Sequence, residues 1–315
     1  MSKNINRRSF IKQSAFAATV TAVPILAQGE KTIPSQSAII DAHSHIWTTD
    51  LKSYPLQGKQ TVEDLKPRSF TPKELMAVAA PHGVTKVVLI QHNIYHGPDN
   101  SYITDTIQNE PDKYSGVAKV NAQGADPVAE MTRLRKLGIR GLRILPADGG
   151  ENTPWRDSVG MNGLWKNAPK VGVAMCPLIN PHDLAEVKFM CEKYSETTVV
   201  IDHFARIGID GVVDSNDLKN LVEIAKFPNA NVKVSAYYAL GKKKPPHTEL
   251  TPMIKALYES YGPKRLMWAS DCPYQLNGPN NYGDSIALIK DRIDFLSEAD
   301  KRDILFNTAE RVFFA

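Results

Sequence analysis

Cysteine is scarce in this 315-residue sequence, with Cys176, Cys191 and Cys272 alone and none of them in a paired zinc spacing. An odd count excludes a fully paired disulfide framework within one chain, so the three are read as buried thiols. No apolar run approaches the ~20 residues that a membrane-spanning helix needs. No Gly-x-Gly-x-x-Gly turn occurs, which removes the usual sign of a nucleotide site on an open doubly wound sheet. Internal repeats and low-complexity tracts are also missing. The first 29 positions hold Lys3, Arg7, Arg8 and Lys12 but no acid; beyond them 34 basic residues balance 34 acidic ones. The formal charge of +4 therefore belongs to the leader and gives no argument for nucleic-acid binding. The whole chain, 42% apolar and 23% charged, has the composition of a globular protein with a sizeable core.

The leader itself reads Asn6-Arg7-Arg8-Ser9-Phe10-Ile11-Lys12, followed by a mild apolar stretch from Ala15 to Ala27. A charged start, a short apolar region and a small residue near its end make a secretory signal. The paired arginines before Phe-Ile-Lys resemble a twin-arginine signal, although Asn6 stands where Ser or Thr is usual. The expectation is a signal over residues 1–27, a linker over 28–37 and a single domain over 38–315. Twin-arginine export machinery would then be a partner, and the protein would be periplasmic or otherwise exported already folded.

After the linker, strand-like and helix-like segments alternate. Eight short runs rich in β-branched residues are strand candidates: 38–46, 86–93, 114–121, 139–146, 172–179, 198–205, 231–238 and 266–273. Helix signals lie between them. Thr71-Pro72-Lys73-Glu74 carries a cap, a first-turn proline and an acid three places on, and Asp126-Pro127 opens a helix that Gly138 closes. Further helices are expected over 181–194, 216–227, 251–261, 284–296 and 298–306. This alternation predicts parallel βαβ units, hence an α/β fold of the (β/α)8 TIM-barrel kind. Lys119 and Lys233, set mid-strand among valines, suit the wetter upper interior of a barrel better than a sheet buried on both faces.

In such a barrel, chemistry gathers at the C-terminal ends of the strands. His43 and His45 end the first strand, His203 the sixth and Asp271 the eighth, while Arg143 lies late in the fourth. Scattered core histidines would not choose strand ends so consistently. Alternate strand residues share a face, so His43 and His45 are expected to project inward together, with Asp41 on the same side about 6–7 Å below as a supporting partner. Adjacent residues face opposite ways, which predicts that Asp202 does not share a side with His203. Gln91 and His92 compete for the inward face of the second strand, strand parity does not choose between them, and Gln91 is carried as a candidate substrate contact.

The motifs Ile40-Asp41-Ala42-His43-Ser44-His45, Ile201-Asp202-His203 and Ala269-Ser270-Asp271-Cys272-Pro273 resemble those of the amidohydrolase-related metal-dependent hydrolases, which have a distorted barrel. The resemblance spans residues 38 to 315. Gly138-Ile139-Arg140-Gly141-Leu142-Arg143 further resembles the branch of 2-pyrone-4,6-dicarboxylate lactonase and of sugar lactonases such as L-fuconolactonase. The resemblance implies hydrolysis of a small-molecule lactone or cyclic ester, with Asp271 as the base for water. His43, His45 and His203 would polarise the carbonyl, directly or through one divalent ion such as Zn or Mn held by His43, His45 and Asp271. Arg143, Lys119 and Tyr237, with Gln91, are the expected substrate contacts. One departure stands out: relatives that bind metal place a His at the end of strand five, and this chain has Met175-Cys176-Pro177 there. The resemblance thus leaves a metal-dependent and a metal-independent site both open. A metal-dependent decarboxylase of an unsaturated or aromatic acid and a non-catalytic sugar-acid-binding barrel are the other readings.

Overall fold

The computed structural model describes residues 38–315; the leader and linker expected over 1–37 lie outside the described residues. The strand candidates become β1 (Ile39–Ser44), β2 (Val84–Ile90), β3 (Tyr114–Ala118), β4 (Ile139–Ile144), β5 (Ala174–Pro177), β6 (Val199–Ile201), β7 (Ala230–Ser235) and β8 (Leu266–Ala269). They pair in parallel in sequence order. The last strand returns to the first: Ser44 pairs with Cys272, the Asp271 N–H donates to the His43 carbonyl at 2.8 Å, and the His45 N–H donates to the Cys272 carbonyl at 2.8 Å. With helices between the strands, this is the expected (β/α)8 barrel.

Most strands stop earlier than the sequence pattern suggests. At the upper ends of β6, β7 and β8 the backbone turns left-handed at His203 (φ 51°), Ala236 (φ 58°) and Asp271 (φ 59°), which no strand accommodates. Ladder pairing ends there, and the residues beyond become the rim of a cup.

The barrel interior is apolar below and polar above. Ile40, Val88, Val117, Val200 and Met267 fill the lower half, joined by Ala309 and Phe313 from the last helix (Thr308–Phe313). That helix is fastened to the N-terminal ends of the strands. Lys86 pairs with Glu310 at 2.9 Å, and Arg311 donates to Asn231 Oδ1 at 3.1 Å. It therefore closes the floor. The outer layer packs a second, larger apolar set between strands and surrounding helices.

The capping signals hold. Thr71 accepts from the Glu74 N–H while the Glu74 carboxylate accepts from the Thr71 N–H, opening the helix Pro72–Ala79. Asp126 does the same for the Ala129 N–H ahead of Pro127–Lys136. The helices Ser101–Asn109, Val159–Val171 and the closing Thr308–Phe313, with the single turn Asn93–His96, escaped the sequence reading. Val159–Val171 contains Gly160, Gly163 and Pro169, all poor helix formers. Burial of Met161, Leu164, Trp165 and Ala168 on one face overrides that local preference. Gly160 is needed at its place, since a Cβ there would stand 1.8 Å from the Ala122 carbonyl oxygen.

Two substitutions should separate core from cap. Phe313→Ala, which empties the floor, is expected to cost about 3–5 kcal/mol, and Thr71→Ala about 1 kcal/mol. Urea midpoints with unchanged slopes would report both.

Candidate active site

His43 and His45 do reach the cup, but not by simple alternation. The β1–β2 register shifts between Asp41 and Ser44, and Ile40 and Ala42 are the residues that face the barrel interior. Asp41 consequently turns away from the imidazoles toward the β1–β8 seam. Its carboxylate accepts from Ser270 N (2.8 Å), Ser270 Oγ (2.5 Å), Tyr282 Oη (2.6 Å) and the backbone N–H of His43 (3.2 Å). Burial raises its pKa despite these donors. The expected support of the His43 ring by Asp41 is corrected: Asp41 holds the strand ends together, not the imidazole.

The sequence-predicted centre is otherwise brought together. Asp271 Oδ1 lies 3.4 Å from His43 Nε2 and 3.3 Å from His45 Nε2, and Asp271 Oδ2 lies 3.6 Å from His203 Nε2. All four side chains are buried. Burial alone would raise the Asp271 carboxyl, but His203, His45 and His43 around it hold it well below the usual carboxylate range. Burial pushes His43 well below its ordinary value, reinforced by the Lys233 ammonium, and takes His203 down to about 4.

His45 is the informative partner. Its Nδ1 lies 3.0 Å from the Ile90 carbonyl, which only accepts, so Nδ1 carries a proton and a neutral ring presents a lone pair at Nε2. That lone pair faces another acceptor, Asp271 Oδ1. Two acceptors 3.3 Å apart need a shared proton or a cation between them. His43, His45 and Asp271 each offer a donor atom, all within 4.8 Å of one another, and no other group of three or more such ligands occurs among the described residues. A tautomer fixed by a carbonyl, two nitrogens and one carboxylate fit an open divalent site. Arg143 Nη2, 2.8 Å from His43 Nε2, is the group an ion would have to displace.

Beneath the centre lies a buried charge layer. Lys233 Nζ sits 3.0 Å from Asp202 Oδ1 and 3.2 Å from His43 Nδ1, and Arg143 reaches Asp202 Oδ2 at 3.3 Å. Lys233 and Arg143 hold the Asp202 carboxyl down against a burial penalty that would raise it. Asp202 and His203 thus share the interior, against the parity expectation. The reason is local: His203, Phe204, Ala205 and Arg206 are all left-handed, and the chain coils inward rather than continuing as a strand. His203 Nδ1 is bound to Ser235 Oγ at 2.8 Å.

Above the centre is a cavity of about 410 Å³ whose walls include His45, His203, Asp271, Arg143, Arg206 and Tyr238. Three expected substrate contacts lie elsewhere. Tyr237 is fully buried, its hydroxyl donating to the Val234 carbonyl at 2.8 Å. Left-handed Ala236 exchanges the two tyrosines, so Tyr238 takes the inner place and donates to Asp271 Oδ2 at 2.7 Å. Lys119 pairs with Asp148 and ties down the loop after β4. Gln91 spends its amide on the Gly97 and Asp99 carbonyls. Its neighbour His92 stands in the cavity wall instead, Nε2 2.6 Å from the Tyr274 hydroxyl, held down to about 2 by burial and by His45. Arg206, Tyr238 and Tyr274 were missed by the sequence reading. No periodic signal marks residues on a left-handed turn or an irregular loop.

An eight-stranded parallel barrel with a histidine–carboxylate centre at its C-terminal strand ends defines the class. A sequence profile described as Amidohydrolase matches residues 40–315, and the chain belongs to that family. It is similar to 4-sulfomuconolactone hydrolase from Hydrogenophaga intermedia, 26% identical over 288 residues, covering 87% of this chain and 88% of the relative. It is also similar to L-fucono-1,5-lactonase from Burkholderia ambifaria, 25% identical, covering 74% and 80%. Among solved structures, a probable 2-pyrone-4,6-dicarboxylic acid hydrolase from Acinetobacter baumannii with bound citric acid superposes with a TM-score of 0.73 at 24% identity, covering 88% of this chain and 99% of that one.

The tyrosine exchange is directly testable. Tyr238→Phe removes a donor to a buried charge and should lower kcat about 10–100-fold. Tyr237→Phe should leave kcat unchanged and cost about 1 kcal/mol of stability. Steady-state kinetics beside chemical denaturation would separate the two.

Proposed function

We propose that this enzyme opens a lactone bearing at least one anionic substituent, on a planar unsaturated body rather than a polyhydroxylated one. The observation that carries this is the cavity itself. Asp271 stands in its floor with His45 and His203, Arg143 and Arg206 stand in its wall, and Tyr238, Tyr274, Leu178, Ile94 and Ile209 make its sides. Apolar and aromatic walls suit a flat carbon ring, and paired guanidinium groups suit carboxylate or sulfonate oxygens. The names of the relatives support the lactone.

In this reading, Asp271 accepts a proton from the attacking water as the new C–O bond forms. Neutral His203 and the Arg143 guanidinium face the oxygen that gains charge. When the ring C–O bond breaks, the proton held at Asp271 goes to the departing ring oxygen, leaving a hydroxy acid. Tyr238 keeps the carboxylate oriented throughout. A divalent ion at His43, His45 and Asp271, Zn or Mn from the donor set, would supply Lewis-acid activation of water or carbonyl. Asp202 and Lys233 fix the His43 ring from below.

A panel of pyrone and muconolactone carboxylates and sugar lactones, assayed before and after chelation and with added Zn or Mn, tests this reading. Turnover of the unsaturated carboxylated lactones is expected, with Asp271→Asn lowering kcat by about 10²–10⁴. Turnover confined to sugar lactones, or indifference to Asp271→Asn, would reject it. We also propose, from the leader alone, export through the twin-arginine route. Arg7→Lys/Arg8→Lys should then trap the precursor in the cytoplasm, as fractionation would show.

A further inference from the structure

Arg140 belongs to the Gly-Ile-Arg-Gly-Leu-Arg motif of β4, yet nothing at the catalytic end uses it. It lies at the opposite, N-terminal end of the barrel, in the wall of a separate cavity of about 320 Å³. Arg135 and Lys136, from the last turn of the helix Pro127–Lys136, stand in the same wall. None of these three cations has a carboxylate within ion-pair distance among the described residues. The closing helix supplies Phe313 on one side, joined by Phe314 just past its end.

Two buried polar atoms at this cavity have no hydrogen-bond partner, Ser115 Oγ and Arg140 Nε. Ser115 is only 3% exposed. A buried hydroxyl and a buried guanidinium N–H left unpaired are costly, and such groups are met by a bound water or a bound ion. The end of the helix explains Arg135 and Lys136 as complements to its negative terminus. It explains neither Arg140, which starts a strand, nor Ser115. Burial and the nearby Arg135 also weaken the hold of Arg140 on its proton, as expected where like charges converge without an anion.

We propose that this cavity is a binding site for a small tetrahedral oxyanion, of the phosphate or sulfate type, held by Arg140, Arg135 and Lys136 with the Ser115 hydroxyl as a further donor. Guanidinium forks match such oxygens in pairs, and a hydroxyl satisfies a remaining lone pair. The site is independent of the lactone reading, since it shares no residue with the catalytic cavity.

Thermal unfolding and calorimetry of the full chain with inorganic phosphate, sulfate and chloride at matched ionic strength test the proposal. Phosphate and sulfate should each raise Tm by about 3 °C at concentrations some twentyfold above Kd, and chloride should not. Arg140→Gln should abolish the shift. Ser115→Ala and Arg135→Gln, which serve if Arg140→Gln does not fold, should each weaken phosphate binding about 3–10-fold. Arg206→Gln, at the catalytic cavity, should retain it. A shift that survives in Arg140→Gln and Ser115→Ala, that is lost in Arg206→Gln, or that chloride matches, overturns the assignment.

Discussion

The centre of this molecule rests on one buried carboxylate. Asp271 is buried, and three imidazoles and a tyrosine hydroxyl face its oxygens. A carboxylate so desolvated stays ionised only while those partners face it, so the geometry of β1, β6, β7 and β8 at their upper ends is mutually dependent. The left-handed residues at three of those ends follow from this. Each such residue costs about 1–3 kcal/mol, and a structure retains that strain where it fixes a side chain that no relaxed backbone would place. His203 and Asp271 are themselves two of the strained positions.

The layering below serves the same end. Asp202 would be intolerable alone in the barrel; Lys233 and Arg143 overbalance it by one positive charge, and both cations also face His43. Lys233 also rests over the Phe313 ring at 5.4 Å, so the floor of the barrel and its buried charge layer share a side chain. Such a set favours one arrangement because moving either cation away strips the buried Asp202 of a partner.

The barrel was legible because its strands are short, β-branched and separated by recognisable caps, and because β1, β6 and β8 end in residues that a core has little use for. His43, His45, His203, Arg143 and Asp271 stand where strand ends put them. Three of the failures share one reason. Alternation along a strand assumes an extended backbone, and at Asp41, Asp202 and Tyr237 that assumption breaks. A register shift turns Asp41 outward, four left-handed residues bring Asp202 in beside His203, and Ala236 exchanges Tyr237 for Tyr238. Backbone handedness at non-glycine residues leaves no mark in composition or periodicity. Lys119 and Gln91 misled differently: polar residues near a strand end also serve to tie loops, and sequence does not distinguish that use from substrate contact.

The seam between the first and last strands has a bearing on how the chain reaches this state. Asp41 meets Ser270 across 229 positions, so β1 waits with an unpaired edge until nearly the whole chain has been ordered. An open parallel edge invites pairing with a neighbouring molecule. A carboxylate beside that edge, unsatisfied until Ser270 and Tyr282 arrive, makes the premature partner expensive and the correct one self-announcing. Asp41 would then act as a guard against misassembly during folding, whatever the finished cup goes on to do.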